Sequence, residues 1–138
     1  MSMSEPQTSI RTRVEAIEEA YEFLLAFAAQ GALDATGPAA AEVRRFLAAL
    51  AAALDGLDGV ARAESERLPP DLAPTVAAFA GVVGEDARRA LAAVRLVAAG
   101  PRLGSQLIDN LNANIHLRAV LTDLFLLDEL LRDELLRS

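Results

Sequence analysis

The sequence contains no cysteine and no lysine. Without cysteine there are no disulfides, thiolate nucleophiles, zinc–thiolate sites or iron–sulfur clusters. Without lysine there is no Schiff-base chemistry, no covalently held pyridoxal phosphate and no P-loop lysine. Histidine occurs once, as His116, so a metal site would rest mainly on carboxylates. Aromatic residues make up 4% of the chain, and the β-branched and aromatic clusters that mark strands are missing. The longest apolar runs, Phe46 to Leu54 and Val76 to Gly84, end at about nine residues, half of the ~18 that a membrane helix needs. The opening residues, MSMSEPQTSIRTRVE, lack the apolar core of a secretory signal, which makes the cytoplasm the expected location.

A basic stripe is missing as well. The formal charge is −7, and the arginines are scattered among more numerous carboxylates. Nucleic acids and anionic membranes call for a basic face that releases counterions from phosphate, so neither is an expected partner. The acidic balance accounts for solubility. Arginine without lysine, beside so much alanine, is the composition of a GC-rich bacterial genome.

What is present favours helix. Hydrophobic residues make up 53% of 138 residues, and many of them are alanine, the best helix former. The length suits one domain, residues 1–138. Apolar residues recur at three- and four-residue spacing, which lines one face of a helix. This predicts four helices, at about 5–30, 38–67, 71–99 and 104–137. The first carries Ile10, Val14, Ile17, Tyr21, Leu24 and Ala28, with a capping box at Ser4 and Gln7 and a stop at Gly31. The second opens at Pro38 and keeps one register through Val43, Leu47, Leu50, Leu54, Leu57 and Ala61. That register favours one continuous helix despite Gly56 and Gly59. Pro69-Pro70 separates the third helix, which Asp71 can cap, and Gly100-Pro101 ends it. Gly104-Ser105 opens the fourth, with Ser105 as its expected N-cap. The resulting fold class is all-α, an up-down-up-down antiparallel four-helix bundle.

Two stretches are apolar on more faces than such a bundle needs. One is Phe46 to Leu54; the other is Leu124 to Leu127 with Leu130 and Leu131. On the last helix Leu126 and Leu130 lie opposite Val120, Leu124 and Leu131. A second apolar stripe implies a partner chain, most simply another copy in a homodimer.

Residues 105–123, SQLIDNLNANIHLRAVLTD, are the strongest candidate for a binding segment. Asparagine is costly inside a helix because its side chain competes for backbone hydrogen bonds. Ser105, Asp109, Asn112, His116 and Asp123 make one polar ribbon. Asn110 and Asn114 interrupt the heptad leucines on another face, where a polar residue can fix register. Asp109, Asn110, Asn112, Asn114 and His116 are therefore the candidate ligand- or partner-binding residues.

Sharper chemistries fit less well. A ferritin-like centre needs Glu-x-x-His pairs, yet position 113 is alanine and there is no second histidine. The helix-one carboxylates Glu15, Glu18, Glu19 and Glu22 form a solvated acidic face. A looser metal set would join His116 and Asp109 to Glu18 or Glu22. Histidine phosphotransfer through His116 is a remoter alternative, since His116-Leu117-Arg118-Ala119 lacks the basic residue and glycine such domains carry just downstream. A triad of Ser105, Asp109 and His116 would sit on one helix, where the side chains cannot converge. No catalytic residue and no cofactor are assigned. The expected function is non-enzymatic: helix-mediated association of an adaptor, regulator or assembly factor. The alternative is a bundle that binds a small ligand or a metal through carboxylates and histidine.

Overall fold

A computed structural model describes the backbone of residues 9–137 and the side chains of residues 9–134. It is all-α. Among the described residues six helices follow one another: α1 (Ile10–Ala28), α2 (Gly37–Leu54), α3 (Leu57–Ser65), α4 (Ala73–Ala99), α5 (Ser105–Asn112) and α6 (Ile115–Arg137). There is no strand among the described residues. The four expected helices are thus six, because the second and the fourth are each interrupted.

α1 begins where Ser9, in extended conformation, accepts a 3.1 Å hydrogen bond from the Thr12 N–H through its Oγ. This is an ordinary serine N-cap, and it puts the helix start later than residue 5. The capping box expected at Ser4 and Gln7 lies outside the described residues. The buried stripe runs Ile10, Val14, Ile17, Ala20, Leu24, Phe27. Tyr21 and Ala28, expected in it, are instead half-buried beside it. Gly31 follows with φ +70°, a left-handed turn that glycine enters without a Cβ penalty.

α2 opens with Pro38 in its first turn, as expected. It ends at Leu54, because Gly56 turns left-handed at φ +67° and starts α3 from there. The periodicity could not reveal this break, since Leu54, Leu57 and Ala61 are all buried on either side of it. The interruption strands carbonyls at the end of α2, which need partners from outside the helix. Arg13 of α1 supplies one: its Nη1 donates to the Ala53 carbonyl at 3.0 Å and to the Asp55 carbonyl at 2.7 Å. Arg44 of α2 plays the same part for α4, donating to the carbonyls of Ala98 (2.9 Å) and Gly100 (3.1 Å).

α4 is the longest element, 27 residues. Asp71 does not cap it; the backbone N–H groups of Leu72 and Ala73 both donate to the Pro69 carbonyl at 2.9 Å. Its inner face includes Ala80, Gly84, Ala87 and Ala90, small residues that allow close packing. A Cβ on Gly84 would run into the Asp58 Cβ on α3.

Contacts fix the relative directions. Arg13 meets residues 53–55 while Phe23 stacks on Phe46 with ring centres 4.1 Å apart, so α1 and α2 are antiparallel. Arg44 meets residues 98–100 and Asp58 meets Gly84, so α4 runs back along α2 and α3. Tyr21 meets Asn112, and Arg11 meets Asp128 at 3.6 Å, so α5 and α6 return along α1. α6 also packs along α4.

Two distant loops are stitched together at one end. Ser105 Oγ donates to the Phe27 carbonyl and accepts from the Ala32 N–H, both at 2.9 Å. The Ala35 N–H donates to the Leu103 carbonyl at 2.7 Å, and the Leu103 N–H donates to Asp34 Oδ1 at 3.1 Å. Gly104 is required here, because a Cβ would strike the Leu33 carbonyl. Ser105 therefore does not cap its own helix. Gly104 occupies the cap position, and the Ser105 hydroxyl reaches across to the α1–α2 loop.

Candidate functional site

Asn114 decides how the polar segment is built. Its Oδ1 accepts from the backbone N–H groups of His116 (3.0 Å) and Leu117 (3.1 Å), capping α6 from outside. The competition between asparagine and helix is thus resolved by ending α5 at Asn112 and starting α6 at Ile115. Asn110 does not face the interior either: it is exposed and accepts a 3.4 Å hydrogen bond from Gln106 Nε2. Asn110 and Asn114, which interrupt the heptad leucines in the sequence, are thus one surface side chain and one cap.

The remaining candidates are dispersed. Asp109 is exposed and His116 is half-buried. Asn112 is buried, 4% exposed, and neither Oδ1 nor Nδ2 has a hydrogen-bond partner among the described residues. Its backbone carbonyl accepts from the Tyr21 hydroxyl at 3.4 Å. Ser105 is committed to the loop–loop stitch. No three His, Asp or Glu side chains among the described residues form a group suited to a metal ion. The metal set of His116, Asp109 and Glu18 or Glu22 is therefore not brought together.

The pattern reading missed a pair of carboxyl groups. Asp123 of α6 meets Asp86 of α4 across the seam between the two helices. Both residues are half-buried, and Asp123 Oδ2 is enclosed with no N–H or O–H donor among the described residues. Desolvation pushes the Asp123 pKa up to about 7, helped by the hydrogen bond that its protonated carboxyl can donate to Asp86 and by the charge of that second carboxylate. The signal in the sequence was slight: Asp86 stands three after Val83 and four before Ala90, both buried, in an otherwise apolar rhythm.

The second apolar stripe of the last helix is on the outside. Val120 and Leu124 are buried, whereas Leu126 is 63% exposed, with Phe125 and Leu130 exposed near it. Ile115 is 73% exposed, and at 100° per residue it lies within about 20° of Leu126 on α6. On α4, Val82 and Leu96 are exposed and share a face to within about 40°. Because α4 and α6 run antiparallel with Asp86 level with Asp123, Val82 comes level with the turn that holds Leu126 and Leu127. The other stretch, Phe46 to Leu54, exposes only alanines: Leu47, Leu50 and Leu54 are buried, and Phe46 stacks on Phe23 under the Arg45 guanidinium, 4.4 Å from its ring centre.

A cleft of about 850 Å³ lies where the start of α1, the end of α3 and α6 meet, lined by Ile10, Leu68, Pro69 and Leu131 with charged side chains at its rim. No helix among the described residues is long and apolar enough to cross a membrane. The chain matches no protein-family model, no curated protein and no solved structure.

Proposed function

We propose that this chain works by helix-mediated association, as a homodimer whose contact is the outer face of α6 with the neighbouring edge of α4. The six helices then act as four antiparallel rods, with α2–α3 and α5–α6 as the two interrupted ones. The observation that carries this is the exposure of large apolar side chains on two adjacent helices: Ile115, Phe125, Leu126 and Leu130 on α6, Val82 and Leu96 on α4. Single exposed leucines are commonplace, but several on neighbouring helices make a patch, and such patches mark contact surfaces. Two-fold pairing is the simplest way for such a patch to cover itself. An adaptor, regulator or assembly factor in a bacterial cytoplasm is the role that fits this chemistry, with no catalytic residue and no cofactor in the reading.

Sedimentation velocity tests it. The parent chain should sediment at twice its 14.6 kDa mass, and Leu126→Glu should shift it to the monomer by placing a carboxylate in the contact. A parent chain that stays monomeric at high micromolar concentration would end the proposal. A Leu126→Glu dimer as tight as the parent would remove this face from it.

A further inference from the structure

Asp86 and Asp123 face one another with no cation between them. Among the described residues neither carboxylate has an arginine within ion-pair distance, and the arginines on the surrounding elements are engaged elsewhere or exposed. On α4, Glu85 is paired with Arg89 at 2.6 Å and Arg88 with Asp58 of α3 at 3.7 Å, while Arg95 is exposed. Arg44 of α2 is bound to the carbonyls that end α4. Arg11 of α1 pairs with Asp128 of α6, Arg118 of α6 is exposed, and so is Asp109 of α5. His116, two turns before Asp123 on the same face of α6, and Glu18 of α1, which packs along α6, are half-buried titratable groups as well.

Two carboxyl groups within hydrogen-bonding reach, one oxygen of them enclosed, cannot both ionise without repulsion, and one shared proton turns that repulsion into a hydrogen bond. We propose that Asp86 and Asp123 are a proton-operated latch between α4 and α6: with one proton between them they tie the helices together, and with both charged they push the seam apart. α6 is suited to respond, because only the capped break at 113–114 joins it to α5. This goes beyond dimerisation and does not depend on it.

The sign follows from the direction of the shift. Asp123 in the folded chain holds its proton up to about 7, whereas the unfolded chain releases it near 3.8. The folded state therefore binds more protons across that window, so its stability falls as pH rises through it and levels off above.

Two measurements on the full chain test the latch. In the parent protein, the Asp123 Cγ carbon signal should titrate with a midpoint near 7; a midpoint below 5 would overturn the proposal whatever the variants do. Urea unfolding is then compared between the parent and Asp123→Asn. The ratio of folded to unfolded Asp123→Asn, relative to the parent, should rise about tenfold or more between pH 5 and pH 8, one pKa unit being one factor of ten. Amide protection in α6 should fall over the same range in the parent and hold steady in the variant. A ratio independent of pH, or the same loss of protection in both proteins, would assign the effect to His116 or another group and sink the latch. Should Asp123→Asn fail to fold, Asp86→Asn removes the same repulsion and must show the same rise.

Discussion

Asn112 buries an amide that no donor or acceptor among the described residues answers, at the last residue of a helix whose next two residues break the backbone. An unpaired buried amide costs about 1–3 kcal/mol. Asn112→Leu, which keeps the branching and removes both polar atoms, should raise the urea midpoint by the equivalent of about 1 kcal/mol. A lowered midpoint would show that the amide forms bonds in solution that outweigh its burial. Asn114, two residues on, shows how far such residues can be read from the chain. Its cost inside a helix was visible in the sequence, and so was the place where the cost would be felt. Its role was not, because a cap and an interior polar contact draw on the same side-chain oxygen, and only the backbone path separates them. The Asp86–Asp123 contact was further out of reach, since it joins residues 37 positions apart on different helices.

Among the elements, the two interruptions carry the same lesson. Leu54, Leu57 and Ala61 stay buried through the turn at Gly56, just as Leu111 and Leu117 do through the turn at residues 113–114. Three-and-four periodicity reports which residues face inward; it does not report whether the hydrogen-bond ladder between them is continuous. Helix ends marked by Pro38, by Pro69-Pro70 and by Gly100-Pro101 were legible because those residues act on the backbone directly. α3 and α4 owe their close approach to Gly84. Gly84→Ala gains helix propensity, worth about 1 kcal/mol on α4 alone. The new methyl nevertheless meets the Asp58 Cβ, a part of that side chain that cannot swing aside. We expect net destabilisation by about 1–3 kcal/mol, measured by denaturant unfolding; a stabilised variant would mean that the two helices separate at no cost.

For the whole molecule, the all-α class was readable from composition and periodicity, while the exposed apolar face proposed as the contact was only half readable. Leu126 and Leu130 could be assigned to the side away from Val120 and Leu124, and that is where they lie. The contribution of Val82 and Leu96 needed the packing of α4 on α6. The oligomeric state that Leu126→Glu probes is accordingly a property of two helices together. Salt should weaken such an apolar contact little, in contrast to the surface ion pairs such as Glu85–Arg89, which are screened.

The stitch made by Ser105, Leu103 and Asp34 joins the first half of the sequence to the second, and the turn at Pro69-Pro70 lies between them in the chain. A protease cut at that turn would therefore leave two pieces, each contributing half of the interior, still sewn to one another at the opposite pole. The pieces should co-elute after nicking and, once separated in denaturant, find each other again on dilution. Reassembly would show that the interior needs both halves but not the covalent link at Pro69-Pro70, and pieces that stay apart would show that it needs the link too.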